Sequence, residues 1–452
     1  MNKFIGLSAN ISNSLVYKRK KFYDYALATL GLLMPLVIKG FPVLIIIAAI
    51  VGIVYYFRAY QKLGKPKKDY YFLPYNLLKD GFKSIFKKKG APMFMVILFV
   101  FYLVSFLYSE NGEEGAEKIL LKSCYLYFPL IFTLTKWDKE KFERVLIFYI
   151  VGCAIHVLIS YLDAFIQADF TFSLFEFTYT RLSFNLHPSY SALLINVALI
   201  FVIVLVLFKD IKTLKKAFLL RNMMFVVLFV PFVLLLSSKS GIFSLILIVV
   251  VTSGFVLFKL KNVRFKVGFF ITISSVLLIA ILSGNKYAKH KFLEMDKTIA
   301  SNPKLPRIKT AAISSTQIRL VLWENSFLAF KRSPLFGYGI GDGKDALQEQ
   351  LKESEEDFVH KLKYNSHNQF LEIGLKLGFL GVLLFIVALC SIVIGFKDFN
   401  YFSFLIFLVL FFNLFVESMM EKQLGSILIV WLLCLLFSSK KIIKTSFSLG
   451  KG

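Results

Sequence analysis

Asn365-Ser366-His367-Asn368-Gln369-Phe370-Leu371-Glu372-Ile373-Gly374-Leu375-Lys376 is the passage where the long polar segment 284–373 gives way to apolar sequence running to about 396. A helix that crosses the hydrocarbon core of a bilayer needs about 20 mostly apolar residues, with every backbone group bonded internally. The run from 374 meets that requirement, and Asn365, Ser366 or Asn368 can cap its start. Similar runs recur near 24–38, 41–57, 91–108, 119–135, 145–166, 188–208, 222–236, 241–258, 267–283, 399–416 and 424–437, which makes about twelve candidate spans. The first and last are short, and 24–57 can equally be one broken hairpin around Lys39-Gly40. The fold class expected is an all-α polytopic membrane protein.

Composition agrees. The 452 residues are 57% hydrophobic and 17% aromatic, and only 18% are charged, where soluble domains carry roughly 25%. Mean hydropathy is +0.69. The net charge of +26 raises the question of nucleic acid. The basic residues instead sit in short loops between apolar runs, so no nucleic-acid partner is expected. Cys124, Cys153, Cys390 and Cys434 all fall inside apolar runs, with neither metal-ligand spacing nor a disulfide framework. The N-terminus is polar and basic through Lys21, without a cleavable signal pattern.

Loop charge orients the chain. Lys18 to Lys21, the ten Lys and Arg residues of 58–90, Lys136 to Arg144, Lys209 to Arg221, Lys259 to Lys266 and Lys440 to Lys444 all fall on one side of the span order. The intervening short loops carry Glu110, Glu113, Glu114 and Glu117, or Asp169 and Glu176. The positive-inside rule then predicts cytoplasmic termini and puts 284–373 outside, between the ninth and tenth spans; long loops cross regardless of their own charge.

Roughly ninety residues are far more than a connection needs, so the chemistry is expected in this segment. It holds three of the five histidines, His290, His360 and His367. An amphipathic helix is predicted over 315–332, capped by Ser314, Ser315 or Thr316 and stopped by Ser333-Pro334. Arg319, Trp323 and Phe327 share one of its faces. A glycine turn follows at Gly337, Gly339 and Gly341. A second helix is expected over about 344–363, with Leu347, Leu351, Phe358 and Leu362 on one side. His367 then sits at the outer end of a spanning helix. The turn Ser237-Ser238-Lys239-Ser240-Gly241, the stretch Arg181 to Tyr190 with His187, and Glu417 reach the same outer interface, where ionisable groups point to function. His156, in mid-span, reads as a core histidine bonded to a neighbouring helix. No nucleotide fingerprint is present on the cytoplasmic side, and the glycines at 337–343 follow no strand. An outward-facing enzyme has no ATP or sugar nucleotide, so its donor must carry its own activation, as a lipid-linked phosphate ester does.

The order Ser238-Lys239-Ser240-Gly241, Arg319-x-x-x-Trp323, Pro334-Leu-Phe-Gly-Tyr-Gly339, His367-Asn368-Gln-Phe-Leu371 and Gly378-x-x-Gly381 resembles the O-antigen ligase family, with its related O-antigen polymerases and protein oligosaccharyltransferases. The motifs lie within about 180–425. The resemblance implies a C-type, membrane-embedded glycosyltransferase of the bacterial inner membrane. Such an enzyme moves a glycan from an undecaprenyl diphosphate donor to lipid A-core or another glycan acceptor, with no metal or cofactor. It implies His367 and Arg319 as catalytic residues, with Arg319, Lys239, Gly339 and Gly341 on the donor diphosphate. Trp323, Asn368, Arg181 and His187 are supporting residues. Lys239 departs from the arginine usual in the family, keeping the charge but losing the bidentate fork.

The division expected is 1–283 with nine spans, 284–373 as the catalytic loop, and 374–452 with three spans and a cytoplasmic tail. The rival within the class is a polymerase of O-antigen or exopolysaccharide. A polysaccharide or lipid transporter would show repeat halves with matching broken helices, and none is found. A sensor would carry a cytoplasmic signalling domain, yet the largest segment on that side is 58–90.

Overall fold

The computed structural model describes residues 25, 27–36, 73–171, 176–207, 216–259, 315–394, 400–440 and 442. Most of these are helical, and no strand occurs among them. Among the described residues, five helices are long and apolar enough to cross a membrane: Lys139–Gln167 (α5), Pro188–Leu207 (α7), Lys216–Leu235 (α8), Lys239–Lys259 (α9) and Gln369–Cys390 (α13). At 1.5 Å per residue, twenty residues reach about 30 Å, the thickness of the hydrocarbon core. A sixth crossing is available if Leu73–Lys88 (α1) and Ala91–Phe106 (α2) count as one bent span. Two shorter apolar helices, Tyr401–Val416 (α14) and Gln423–Ser438 (α15), complete the set. The candidate spans 41–57 and 267–283, and the loop from 284 to 314 with His290, lie outside the described residues.

α7 organises the bundle. It is apolar all round and buried on nearly every side, the pattern of a central helix. It packs against α5, α8, α9 and α14. Trp431 of α15 stacks on Tyr149 of α5 at 5.4 Å between ring centroids. It also meets Phe201 of α7 at 6.2 Å. His156 of α5 is bonded to Ser191 Oγ of α7 at 3.2 Å, the core role expected for it.

Several expected boundaries move. The apolar run at 91–108 joins α1 through a bend of 111°. The turn is made at Lys89, whose φ is 44°. α1 carries Lys79, Lys83, Lys87 and Lys88 on an amphipathic helix, the form of a helix lying along an interface. The span expected at 119–135 breaks at Ser123 into Gly112–Lys122 (α3) and Cys124–Leu134 (α4). The first part is polar and the second spans only about 17 Å.

The helix expected over 315–332 is present as Ser315–Arg332 (α10). The second one divides into Gly343–Glu353 (α11) and Asp357–Lys361 (α12), because Glu355 turns the chain at φ 57°. Leu347 and Leu351 are buried under α10 as expected, while Phe358 is exposed and its neighbour Val359 takes the core position. α13 starts at Gln369 and is broken at Gly378, where φ is 66° and ψ −166°. The Pro334-Leu335-Phe336-Gly337 turn fills that break, with the Phe379 N–H donating to the Pro334 carbonyl at 2.8 Å. A Cβ on Gly378 would stand 2.2 Å from the Leu335 carbonyl, so the break requires glycine. α10 and α11 thereby rest on the first turns of α13, and the short helix Tyr179–Leu182 (α6) packs against α5.

Candidate active site at the N-terminal end of α13

Glu417 closes α14 in extended conformation, at φ −153° and ψ 140°. Its carboxylate is 6% exposed and holds two sequence-distant groups at once. His367 Nδ1 lies 2.6 Å from Oε1, approaching obliquely to the ring N–H direction. Arg319 Nη2 donates to Oε2 at 3.2 Å. His367 is fixed from the other side as well. Its carbonyl accepts from Trp323 Nε1 at 3.2 Å, its N–H donates to Asn365 Oδ1 at 3.1 Å, and Tyr364 stands edge-on to its ring at 5.3 Å. Trp323 packs on Phe415 of α14 at 5.1 Å. Arg319 and Trp323 share a face of α10 because they are four residues apart, and that face meets the end of α14.

The electrostatics follow from this geometry. Burial pushes the Glu417 carboxyl up, but the His367 contact and the charges of His367, Arg319 and His187 outweigh it and hold it below the usual carboxylate range. His187 is pushed below the usual histidine range, chiefly by burial; Glu417 pulls it up, while His367 and Arg319 push it further down. Burial raises the Tyr179 hydroxyl, with Arg319 opposing and Glu417 reinforcing. These residues therefore share one field. Glu417 stays ionised, accepts from Arg319 and faces the Nδ1 side of the His367 imidazole. Arg319 Nε is buried and has no hydrogen-bond partner among the described residues.

Lys239, exposed at the start of α9, donates to Thr316 Oγ1 on α10 at 3.1 Å. Thr316 precedes Arg319 by one turn, so the Ser-Lys-Ser turn is brought to the arginine's end of α10. His187 precedes α7, and its neighbour Tyr190 donates to the Met419 carbonyl at 3.3 Å, two residues beyond Glu417. Asn368 caps α13 through Phe370 N–H and Leu371 N–H, at 2.9 and 3.1 Å. Its own N–H donates to Ser418 Oγ at 3.0 Å. Arg181, in α6, is ion-paired with Glu176. Gly339 and Gly341 depart from the expected phosphate cradle. The Gly339 N–H donates to the Lys376 carbonyl at 3.1 Å and the Gly341 N–H to Ser109 Oγ at 2.9 Å. With both amides engaged by the protein, the two glycines serve close packing instead: Gly339 sits at φ 106°, and a Cβ on Gly341 would stand 2.2 Å from the Asn111 carbonyl.

The sequence reading placed Glu417 at the outer interface without giving it a role. The signal available was an isolated carboxylate directly at the end of an apolar helix. Tyr179 carried no such signal, and nothing in the sequence set it apart from the other 20 tyrosines of the chain's 21.

Residues 223–386 match a protein-family model described as O-antigen ligase. The match covers Lys239, Arg319 and His367 and stops before Glu417. An uncharacterised protein of Haemophilus influenzae is 34% identical over 89 residues, which cover 19% of this chain and 22% of that protein.

Proposed function

We propose, on the premise that residues 223–386 are an O-antigen ligase family domain, that the chain transfers a glycan between two substrates at an outward-facing site. The donor is a glycan on undecaprenyl diphosphate and the acceptor is a sugar hydroxyl, lipid A-core in the ligase reading. The protein sits in the bacterial inner membrane with both termini cytoplasmic, 284–373 as its periplasmic catalytic loop, and about twelve spans. The observation that carries the reading is the junction of His367 and Arg319 on Glu417.

The residues divide the work. His367, held by Glu417 at Nδ1, takes the acceptor hydroxyl proton on Nε2. The acceptor oxygen then bonds to the anomeric carbon as the bond from that carbon to the diphosphate oxygen breaks, and the electron pair leaves with the lipid diphosphate. Direct displacement inverts the anomeric centre. Arg319 and Lys239 stabilise the charge that grows on the diphosphate. Trp323 fixes the height of the His367 backbone. His187 shares the electrostatic field of Glu417.

Extension of the lipid-linked glycan by a polymerase uses the same groups, and the two readings differ only in the acceptor. Surface polysaccharide from a deletion strain separates them. Bare lipid A-core with long glycan retained on the lipid carrier supports the ligase. Lipid A-core bearing a single repeat supports the polymerase, and an unchanged ladder contradicts both.

A further inference from the structure

Below His367 lies a buried charge cluster that the transfer step does not use. Lys376 Nζ lies 2.9 Å from Glu372 Oε1 and 2.5 Å from Glu421 Oε2. Lys122 Nζ lies 3.1 Å from Glu421 Oε1 and donates to the Met420 carbonyl at 2.6 Å. Lys118, at the rim, is 3.6 Å from Glu421. The four inner side chains are at most 4% exposed. Two lysines balance two glutamates, and each ion has an opposite partner, the condition under which buried charge is tolerated.

The cluster connects to His367 through hydroxyls. Glu372 Oε2 accepts from Ser366 Oγ at 2.8 Å and from Ser366 N–H at 3.3 Å. Ser366 Oγ is 3.2 Å from Ser418 Oγ, which accepts from Asn368 N–H at 3.0 Å. Ser366 Oγ also lies 2.9 Å from the Asn368 carbonyl, so its one proton is shared between that carbonyl and the carboxylate, and either serine can donate to the other. Both neighbours of His367 are thus tied down, one to Glu372 and one to the residue following Glu417. His367 itself sits at φ 45°. That left-handed conformation disfavours a side chain and persists where surrounding bonds over-determine it.

We infer that Glu372 and Ser418 are positioning residues: they hold His367 in its left-handed conformation so that its ring meets Glu417, with Lys376, itself paired to Glu421, holding Glu372 in place. This deepens the reading of the same site and rests on it for its consequence in transfer. Its structural content is tested separately.

The test is a double-mutant cycle on the full chain in detergent. Glycine adopts φ 45° freely, so His367→Gly removes the strain that the network holds. Glu372→Gln and Ser418→Ala are each introduced into the wild-type and His367→Gly proteins, and thermal unfolding is followed. Each lowers the midpoint in the wild-type protein and lowers it by a different amount in His367→Gly, because only the wild-type chain has strain to release when the network is lost. Additive shifts for both pairs overturn the inference, because a network that merely supports the fold is indifferent to residue 367. Ser418→Ala leaves the charges in place, so the cycle survives if Glu372→Gln fails to fold. In a deletion strain at equal protein level, Ser418→Ala lowers glycan transfer on the order of 10- to 100-fold, the cost of misplacing a reacting group by about 1 Å. Coupling without any glycan phenotype for His367→Ala would leave the positioning network standing and remove the transfer reading. A His367→Ala phenotype with additive midpoints would do the reverse.

Discussion

His367 Nδ1 stands 2.6 Å from Glu417 Oε1, across two helix ends that are separate in sequence. The carboxylate holds the imidazole by one oxygen and Arg319 by the other. In the proposed transfer, the base and the cation that meets the diphosphate are thereby set at a fixed separation, which is what displacement of a charged leaving group requires.

Glu417→Gln is expected to lower transfer by on the order of 10²-fold while leaving protein level unchanged, since the amide keeps the shape and loses the charge that favours the basic tautomer. Quantifying the polysaccharide ladder in a complemented deletion strain, with an immunoblot for the protein, checks it. Full activity with the glutamine would remove Glu417 from the site.

The same residue sets a pH dependence. Burial opposes ionisation of Glu417, and His367 with the neighbouring cations more than compensates, so its pKa is depressed in the fold. A depressed carboxylate contributes stability above its unfolded pKa of about 4.5. That contribution is lost as pH falls through the lower folded value. Thermal midpoints of wild type and Glu417→Gln, followed from pH 7 downward, should differ most near neutrality and converge below about pH 4.5. His187, held below its ordinary 6.5 by burial, adds an acid penalty of the same sign below that pH in both proteins. A gap that widens in acid contradicts the assigned field.

Lys239→Arg should support transfer as well as lysine does, because a guanidinium keeps the charge and adds a bidentate fork suited to phosphate. Lys239→Ala should lower it by roughly 10-fold, the worth of one charge-assisted hydrogen bond. Equal activity in the alanine variant places the donor diphosphate elsewhere.

Gly378→Ala tests how the catalytic segment is seated. The added methyl meets the Leu335 carbonyl at 2.2 Å and forces a side chain into φ 66°. The expected destabilisation is on the order of 2–4 kcal/mol, read as a lower unfolding midpoint and loss of the folded band in native detergent gels.

What the sequence made legible was local. The bounds of α10 were readable because Ser315 and Thr316 are helix starters and Ser333-Pro334 is a stop. The N-cap role of Asn368 was readable for the same reason. The division between α11 and α12 was hidden, since Glu355 takes its positive φ with no glycine or proline to mark it. The break at Gly378 was hidden inside an apolar run that is continuous in hydropathy. Arg319 and His367 were reachable as a motif, but Glu417 lies 98 residues beyond Arg319 in sequence, and no periodicity encodes such a contact. Lys122 shows the limit most plainly. It read as a residue near the start of a span, and it is buried because its partner Glu421 comes 299 residues later.

The central claim, that His367 is the base of a lipid-diphosphate glycan transfer, is tested most directly by complementing a deletion strain with His367→Ala at wild-type protein level and extracting both surface glycan and carrier lipid. The account predicts loss of transferred glycan together with its accumulation on the carrier. A full wild-type ladder from His367→Ala would contradict it.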